Sequence, residues 1–146
     1  MAPKPSSQQG VVLLEALIGI LIFSLGILAL VAMQAVSISN VSNARYRTEA
    51  AFLANEIISE IWVDRGANYG QVANYAIAAG AASSPPAQAW VNKVYAMLPG
   101  SAANPPDVAV ATPALGGRQV TVTVRWRAPD AVAASNHTAV AFISDP

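Results

Sequence analysis

Glu15 is the residue whose position most clearly suggests chemistry, because it is the only charged residue in the apolar stretch 10–33. A carboxylate at the centre of a bilayer costs roughly 2.5 to 3.5 kcal/mol, and less near the interface. A cut after Gly10 would give Val11 a positively charged amine about one helical turn from Glu15. The pair would form within one chain, or between Glu15 of one subunit and the amine of another. The second arrangement would encode assembly.

The stretch that carries Glu15 has the length and composition of a membrane helix. Residues 16–33 contain no charge and one polar side chain, Ser24, and a span needs about 20 apolar residues. Small residues near one side of this helix would let another helix approach closely. These residues are Ala16, Gly19, Gly26 and Ala29. Glycine is also common in membrane helices in general, so the residues alone fit both interpretations.

The start of the chain carries a recognisable processing pattern. A polar leader with Lys4 ends in Gln8-Gln9-Gly10, and Glu15 is the fifth residue of the helix that follows. This arrangement resembles the class III signal of type IV pilins and pseudopilins. The resemblance implies cleavage between Gly10 and Val11 by a prepilin peptidase, methylation of the Val11 amine, and polymerisation through the helix.

A second stretch makes the resemblance more specific. The V-type minor pilins resemble this chain in two stretches, residues 13–28 and residues 44–58, the second of which begins Ala44-Arg45-Tyr46-Arg47. The similarity extends over residues 8 to 65. It implies an assembly and priming subunit of the type IV pilus that supports twitching motility and adhesion in a tip complex. The implied partners are the peptidase, other minor pilins and the major pilin through the N-terminal helix, a tip adhesin and inner-membrane lipid. The implied location is the inner membrane, single-pass with a periplasmic C-terminal domain, and then the pilus fibre at the cell surface.

Two other functions share the same N-terminal features. A minor pseudopilin of a type II secretion system would have the same leader and helix. An uncleaved membrane-anchored binding domain would keep residues 1–10. A secretory signal peptide with a cleavage site at Ala35-Val36-Ser37 is a further alternative, although its apolar stretch would be unusually long and would contain Glu15.

The positions of proline and glycine predict one long helix. No proline lies between Pro5 and Pro85 and no glycine between Gly26 and Gly66, so residues 11–65 are expected to be helical, with Gly66 as the C-terminal cap. The second half is amphipathic. Its apolar stripe consists of Tyr46, Ala50, Leu53, Ile57 and Ile61, with Ala51, Ile58 and Trp62 alongside.

The rest of the chain predicts a small sheet. Residues 118–127 alternate, with Val120, Val122, Val124 and Trp126 expected against the helix, and Thr121, Thr123, Arg125 and Arg127 expected in solvent. Shorter strands are predicted at 107–112 and 137–144. The expected fold class is α+β with a pilin-like layout, in which a long N-terminal helix, half membrane segment and half amphipathic, packs on a small antiparallel sheet.

These elements divide the chain into three parts. Residues 1–10 form the leader, residues 11–36 the transmembrane and polymerisation helix, and residues 37–146 a soluble pilin-like domain. Within that domain we expect the second half of the helix at 37–65, an irregular loop at 66–86, a short helix at 87–98 and the sheet at 107–146.

Composition argues against an enzyme. The chain has no cysteine, so disulfides, thiolate catalysis and cysteine metal sites are impossible, and we predict no cofactor and no metal. His137 is expected to be a surface residue, and Glu56, Glu60 and Asp64 a solvated helix face. The net charge is zero, with 8 basic and 8 acidic residues, so nucleic acid is not an expected partner. Arg118, Arg125, Trp126 and Arg127 suggest base stacking, but alternation places Trp126 opposite the neighbouring arginines.

Overall fold

A computed structural model describes residues 9–114 and 116–144. Most of the predicted leader, with Lys4, and the last two residues of the predicted sheet lie outside the described residues. The helices are α1 (Gln9–Val63) and α2 (Pro85–Met97), with short 3₁₀ turns at Ala67–Tyr69 and Val72–Tyr75. The strands are β1 (Ile77–Ala78), β2 (Ala81–Ala82), β3 (Asp107–Ala111), β4 (Arg118–Trp126) and β5 (Ser135–Ile143).

The described residues divide into two units at Asn40 and Val41, and α1 contributes residues to both. The helix is uninterrupted, as the absence of proline predicts. It ends at Val63 rather than at residue 65, with the Asp64 N–H donating to the Glu60 carbonyl at 2.9 Å. Gly66 has φ +65° but ψ 177°, so it is extended rather than left-handed helical and does not cap α1 as predicted.

The core of the second unit lies between α1 and one face of the sheet. The buried side chains of α1 are Ala50, Leu53, Ala54, Ile57 and Ile61, which confirms the predicted stripe, while Tyr46 and Ile58 are only partly buried. The predicted inner face of β4 is also confirmed, since Val120, Val122, Val124 and Trp126 are all buried. Trp62 is a correction: it is 37% exposed, and the Arg65 guanidinium lies 5.4 Å from its ring.

The sheet is antiparallel throughout, with the strand order β2-β1-β3-β4-β5. β4 pairs with β3 over five residues and with β5 over nine, from Arg118 opposite Ile143 to Trp126 opposite Ser135. The predicted α+β class, with a long helix packed on an antiparallel sheet, is therefore confirmed. β5 begins at Ser135, two residues before its predicted start, because the pairing continues to the end of β4.

The segment predicted as an irregular loop at 66–86 contains more order than expected. Ala78 pairs with Ala81, so Ala79 and Gly80 form a two-residue hairpin turn with φ values of 49° and 78°. Such turns usually carry Asn-Gly or Asp-Gly. Here the Ala79 N–H donates to the Asp107 carboxylate at 2.6 Å and the Gly80 N–H donates to the Pro106 carbonyl at 3.0 Å, so distant residues hold the turn.

The short helix α2 begins two residues before the predicted position. The Ser84 hydroxyl accepts from the Ala87 N–H at its N-terminus, and proline in the first turn loses no helical hydrogen bond. Trp90, Val91 and Val94 are buried. The Trp90 indole N–H donates to the Leu53 carbonyl at 2.9 Å, which ties α2 to the second half of α1.

Candidate functional site on the apolar helix

The apolar side chains in the first half of α1 are not covered by the described part of the protein. Every Val, Leu, Ile, Phe and Met side chain from Val11 to Ile38 is 46% to 71% exposed. Within the described residues this is the one helix long and apolar enough to cross a membrane, with a mean hydropathy of 2.8 and none of its most apolar window covered by the protein. So large an apolar surface is not stable in water, so lipid or other chains must cover it.

Glu15 is exposed on this helix and shares one side of it with two glycines. Gly19 follows it by four residues and Gly26 by eleven, which places both within about 40° of Glu15 at roughly 100° per residue. Ala16 and Ala29 flank this line on opposite sides. The helix therefore brings the carboxylate and two points of close approach onto one face, with Val11 one turn before Glu15.

The glycines of this helix have no partner inside the described chain. A Cβ added at Gly10, Gly19 or Gly26 would meet no atom within 4 Å. Glycine in a helix interior is nevertheless about 1 kcal/mol less favourable than alanine. Packing among the described residues therefore gives no reason for glycine at these three positions.

The acidic face of α1 is only partly the solvated face that the sequence predicts, because Glu60 and Asp64 are exposed but Glu56 is half-buried. Glu56 forms an ion pair with Lys93 of α2, and one of its carboxylate oxygens is occluded without a hydrogen-bond partner. The pKa of Glu60 is raised mainly by burial and further by the neighbouring charge of Glu56. Glu56 and Glu60 therefore line a partly desolvated groove between α1 and α2.

At the end of this groove, Asp64 accepts a hydrogen bond from the Tyr75 hydroxyl at 3.0 Å. Burial, followed by this hydrogen bond and the Asp64 charge, raises the pKa of Tyr75 to about 12. Tyr75 is 3% exposed, so its proton is held in a structural contact rather than offered to a substrate. The pattern of the sequence did not indicate Tyr75 or Lys93, which lie 11 and 37 residues from their partners.

The arginines of β4 are also engaged. Arg125 pairs with Asp107 of β3 and donates to the Pro105 carbonyl at 2.7 Å. The Arg118 guanidinium lies 5.8 Å from the Tyr69 ring. Trp126 is 1% exposed, so a nucleic acid base has no access to its ring and the stacking arrangement considered from the sequence is not available.

His137 is the third residue of β5, opposite Val124, rather than at the edge of a loop as expected. Among residues 9–114 and 116–144, no group of three or more His, Asp or Glu side chains is placed to hold a metal ion.

Searches against protein-family models, curated proteins and solved structures find no match to this chain. The first half of α1, with Glu15, Gly19 and Gly26, is the part of the molecule whose apolar surface most clearly needs cover from outside the described residues.

Proposed function

We propose that this chain is a minor pilin of the type IV pilus, an assembly and priming subunit rather than an enzyme. In this proposal the leader is removed, α1 resides in the inner membrane with the C-terminal domain in the periplasm, and the same helix then enters the filament. The subunit supports twitching motility and adhesion as part of a tip complex.

One observation carries the proposal: α1 leaves its whole apolar first half uncovered and places a single carboxylate one turn after the Gly10-Val11 bond. A plain lipid anchor has no use for that carboxylate, which opposes insertion. In a helix that moves from lipid into a bundle of like helices, the carboxylate has a function. Glu15 can neutralise the amine that cleavage creates at Val11 in its own or a neighbouring subunit.

The small residues fit the same role. Gly19 and Gly26 would let neighbouring helices approach closely, with Ala16 and Ala29 on either side of the contact. The partners in this proposal are the prepilin peptidase at Gly10 and Val11, other minor pilins and the major pilin along α1, a tip adhesin at the domain, and membrane lipid. Nucleic acid is not among them.

Two alternatives remain distinct from this proposal. A minor pseudopilin of type II secretion would use α1 in the same way, and the resemblance of residues 44–58 to the V-type minor pilins favours the pilus. An uncleaved membrane-anchored binding domain would keep its leader and would give Glu15 no amine to neutralise.

Intact mass spectrometry of the protein from membranes tests the processing step. We expect loss of residues 1–10 and the addition of one methyl group at Val11, in membranes and in sheared filaments alike. Gly10→Leu should block the cut, whereas Gly19→Leu should leave the mass of the mature protein changed only by the substitution. A wild-type chain that keeps Met1 in cells with active peptidase would refute the proposal and support the uncleaved anchor.

Glu15→Val then separates assembly from anchoring. The change removes an insertion penalty, so the membrane level should hold. It also leaves a neighbouring amine without its partner, and stranding a buried charge costs about 3 to 5 kcal/mol, so the amount in sheared filaments should fall at least tenfold. Quantitative immunoblotting of both fractions measures this, with Glu15→Asp as an intermediate case. A normal filament level of Glu15→Val would show that the carboxylate has no partner there.

A further inference from the structure

The contact between α1 and α2 contains one carboxylate oxygen that has no hydrogen-bond donor. Glu56 on α1 lies against α2, where its Oε1 atom accepts from the Lys93 ammonium. Its second oxygen, Oε2, is covered by surrounding atoms, and among the described residues no donor reaches it. A buried acceptor in this state costs free energy, and a charged one costs more than a neutral one. A donor placed at this oxygen would therefore tighten the contact between the two helices.

The groove around this oxygen offers few donors. Three of its lining side chains carry one, namely Tyr75, Trp90 and Lys93. The Trp90 indole N–H donates to the Leu53 carbonyl at 2.9 Å, and the Tyr75 hydroxyl donates to Asp64 at 3.0 Å. The Lys93 ammonium already serves the other oxygen of the same carboxylate. All three donors are therefore engaged in other contacts.

Glu60 is the remaining polar side chain of the groove, and it follows Glu56 by one helical turn. Residues four apart on a helix are neighbours, with Cβ atoms about 5 to 6 Å apart. As a carboxylate, Glu60 can only accept hydrogen bonds, and its charge repels that of Glu56. As a carboxylic acid, it is neutral and has one O–H to donate. Protonation of Glu60 thus removes a repulsion and supplies the donor that the Glu56 Oε2 atom lacks.

The surroundings of Glu60 favour this protonation. Burial raises the pKa of Glu60 most, the Glu56 charge raises it further, and the Lys93 charge opposes both. Lys93 is the only charged residue of α2, and the other titratable groups beside Glu60 are Asp64 and the Tyr75 hydroxyl. The pKa of Tyr75 is about 12, so this hydroxyl keeps its proton in acid and at neutral pH. The folded protein therefore binds a proton at Glu60 more tightly than the unfolded chain does.

We propose that Glu56 and Glu60 form a proton-operated latch between α1 and α2, in which protonated Glu60 donates a hydrogen bond to the Glu56 Oε2 atom. The latch holds α2 tightly against α1 in mild acid and releases it in part at neutral pH. Its contribution to stability is complete below the unfolded pKa of Glu60 and is lost as the pH rises through the raised folded pKa. The latch belongs to the domain and does not depend on the proposed role of the first half of α1.

Hydrogen exchange of the full chain in detergent, followed by mass spectrometry, measures how tightly α2 is held. Peptides from β4 in the same sample are the internal reference, because no residue of β4 lines the groove. In the wild type, we expect the protection of α2 relative to β4 to be at least about twofold higher at pH 4.5 than at pH 7.5. Glu60→Gln keeps a donor at every pH, so it should show the higher protection at both values.

Three further variants separate the hydrogen bond from other causes. Glu60→Ala removes the charge but supplies no donor, so its protection should be independent of pH and lower than that of Glu60→Gln. Glu49→Gln is the matched control, since it replaces another glutamate of α1 that is paired with Arg45 rather than with α2. It should keep the pH dependence of the wild type. Asp64→Asn should keep it as well, because the latch does not use Asp64.

Four results would overturn the latch. The first two are a wild-type α2 with the same relative protection at both pH values, and a Glu60→Gln variant that retains the wild-type pH dependence. The third is equal protection of Glu60→Ala and Glu60→Gln, which would mean that repulsion alone acts in the groove. The fourth is loss of the pH dependence in Asp64→Asn, which would place the proton at the contact of Asp64 with Tyr75.

Discussion

The two halves of α1 have the same secondary structure and opposite surroundings. Residues 41–63 bury a regular stripe, with Leu53, Ile57 and Ile61 fully covered by their own domain. Residues 11–38 bury none of their apolar side chains, although they contain more of them. Freedom from helix breakers accounts for the helix in both halves, and what differs is where the covering surface comes from. Substitutions in the second half should therefore act on folding, and those in the first half on the membrane or assembled state.

Aromatic substitutions give the largest expected contrast between a side chain covered by its own chain and one that is not. Trp126→Ala should lower the free energy of unfolding by about 3 to 5 kcal/mol, because the side chain is 1% exposed and its loss leaves a cavity. Phe23→Ala, at a side chain 69% exposed, should leave the unfolding of the domain unchanged. Thermal unfolding of the full chain in detergent measures both, and the first change should lower Tm by at least about 10 °C.

Trp62→Ala is a useful control in the same measurement. Its side chain is 37% exposed and contacts Arg65, so we expect a loss of no more than about 1 kcal/mol. A Tm for Trp126→Ala equal to that of the wild type would show that Trp126 is not part of the core.

The sequence was sufficient for those elements whose signal is local. The continuity of α1 follows from the absence of proline, and the inner face of β4 follows from strict alternation over Val120, Val122 and Val124. The face shared by Glu15, Gly19 and Gly26 also follows from helix geometry once the helix is accepted. The ends of elements depend on pairing between strands as well: β5 begins at Ser135 because β4 is long enough to pair with it.

Contacts between distant residues could not be predicted in this way. The hairpin at Ala79 and Gly80 lacks the usual turn residues and depends on Asp107, which is 28 residues away from Ala79. The ion pair of Glu56 with Lys93 joins two helices, and nothing in either local pattern marks it.

Glycine substitutions should show the same contrast at a smaller scale. Gly80 has φ +78°, and a Cβ there would collide with the Tyr95 hydroxyl and lie 2.9 Å from the Pro105 Cβ. Gly80→Ala should therefore destabilise the domain by about 2 kcal/mol, from the left-handed conformation together with the collision. Gly19→Ala meets nothing within 4 Å and should favour the helix by up to about 1 kcal/mol.

Thermal unfolding of the full chain in detergent reports both glycine substitutions, and Gly19→Ala should leave the Tm of the domain unchanged. If Gly80→Ala had a wild-type Tm, the turn would be able to relax without cost. If Gly19→Ala lowered the Tm of the domain, the first half of α1 would be contributing to its folding, which is contrary to the contrast between the two halves.

The smallest expected effect is a pH dependence within the domain, at Asp107. Burial alone would raise its pKa, but the hydrogen bond from the Ala79 N–H and the pairing with Arg125 outweigh burial and lower the pKa below that of an ordinary aspartate. A lowered pKa in the folded state stabilises the protein above the unfolded pKa, and that stabilisation is lost as the pH falls from about 4 through the folded value. Asp107→Asn should therefore be less stable than the wild type by up to about 1 kcal/mol at pH 7, since the pair is partly exposed. The difference should shrink below pH 4.

Glu60→Gln is the matched control with the opposite sign. Burial raises the pKa of Glu60 and its ionised form opposes folding, so this variant should be slightly more stable than the wild type at pH 7. Urea unfolding of the three proteins between pH 3 and pH 7 measures both trends. A constant deficit for Asp107→Asn across that range would mean that shape, and not charge, holds the Ala79 turn against β3.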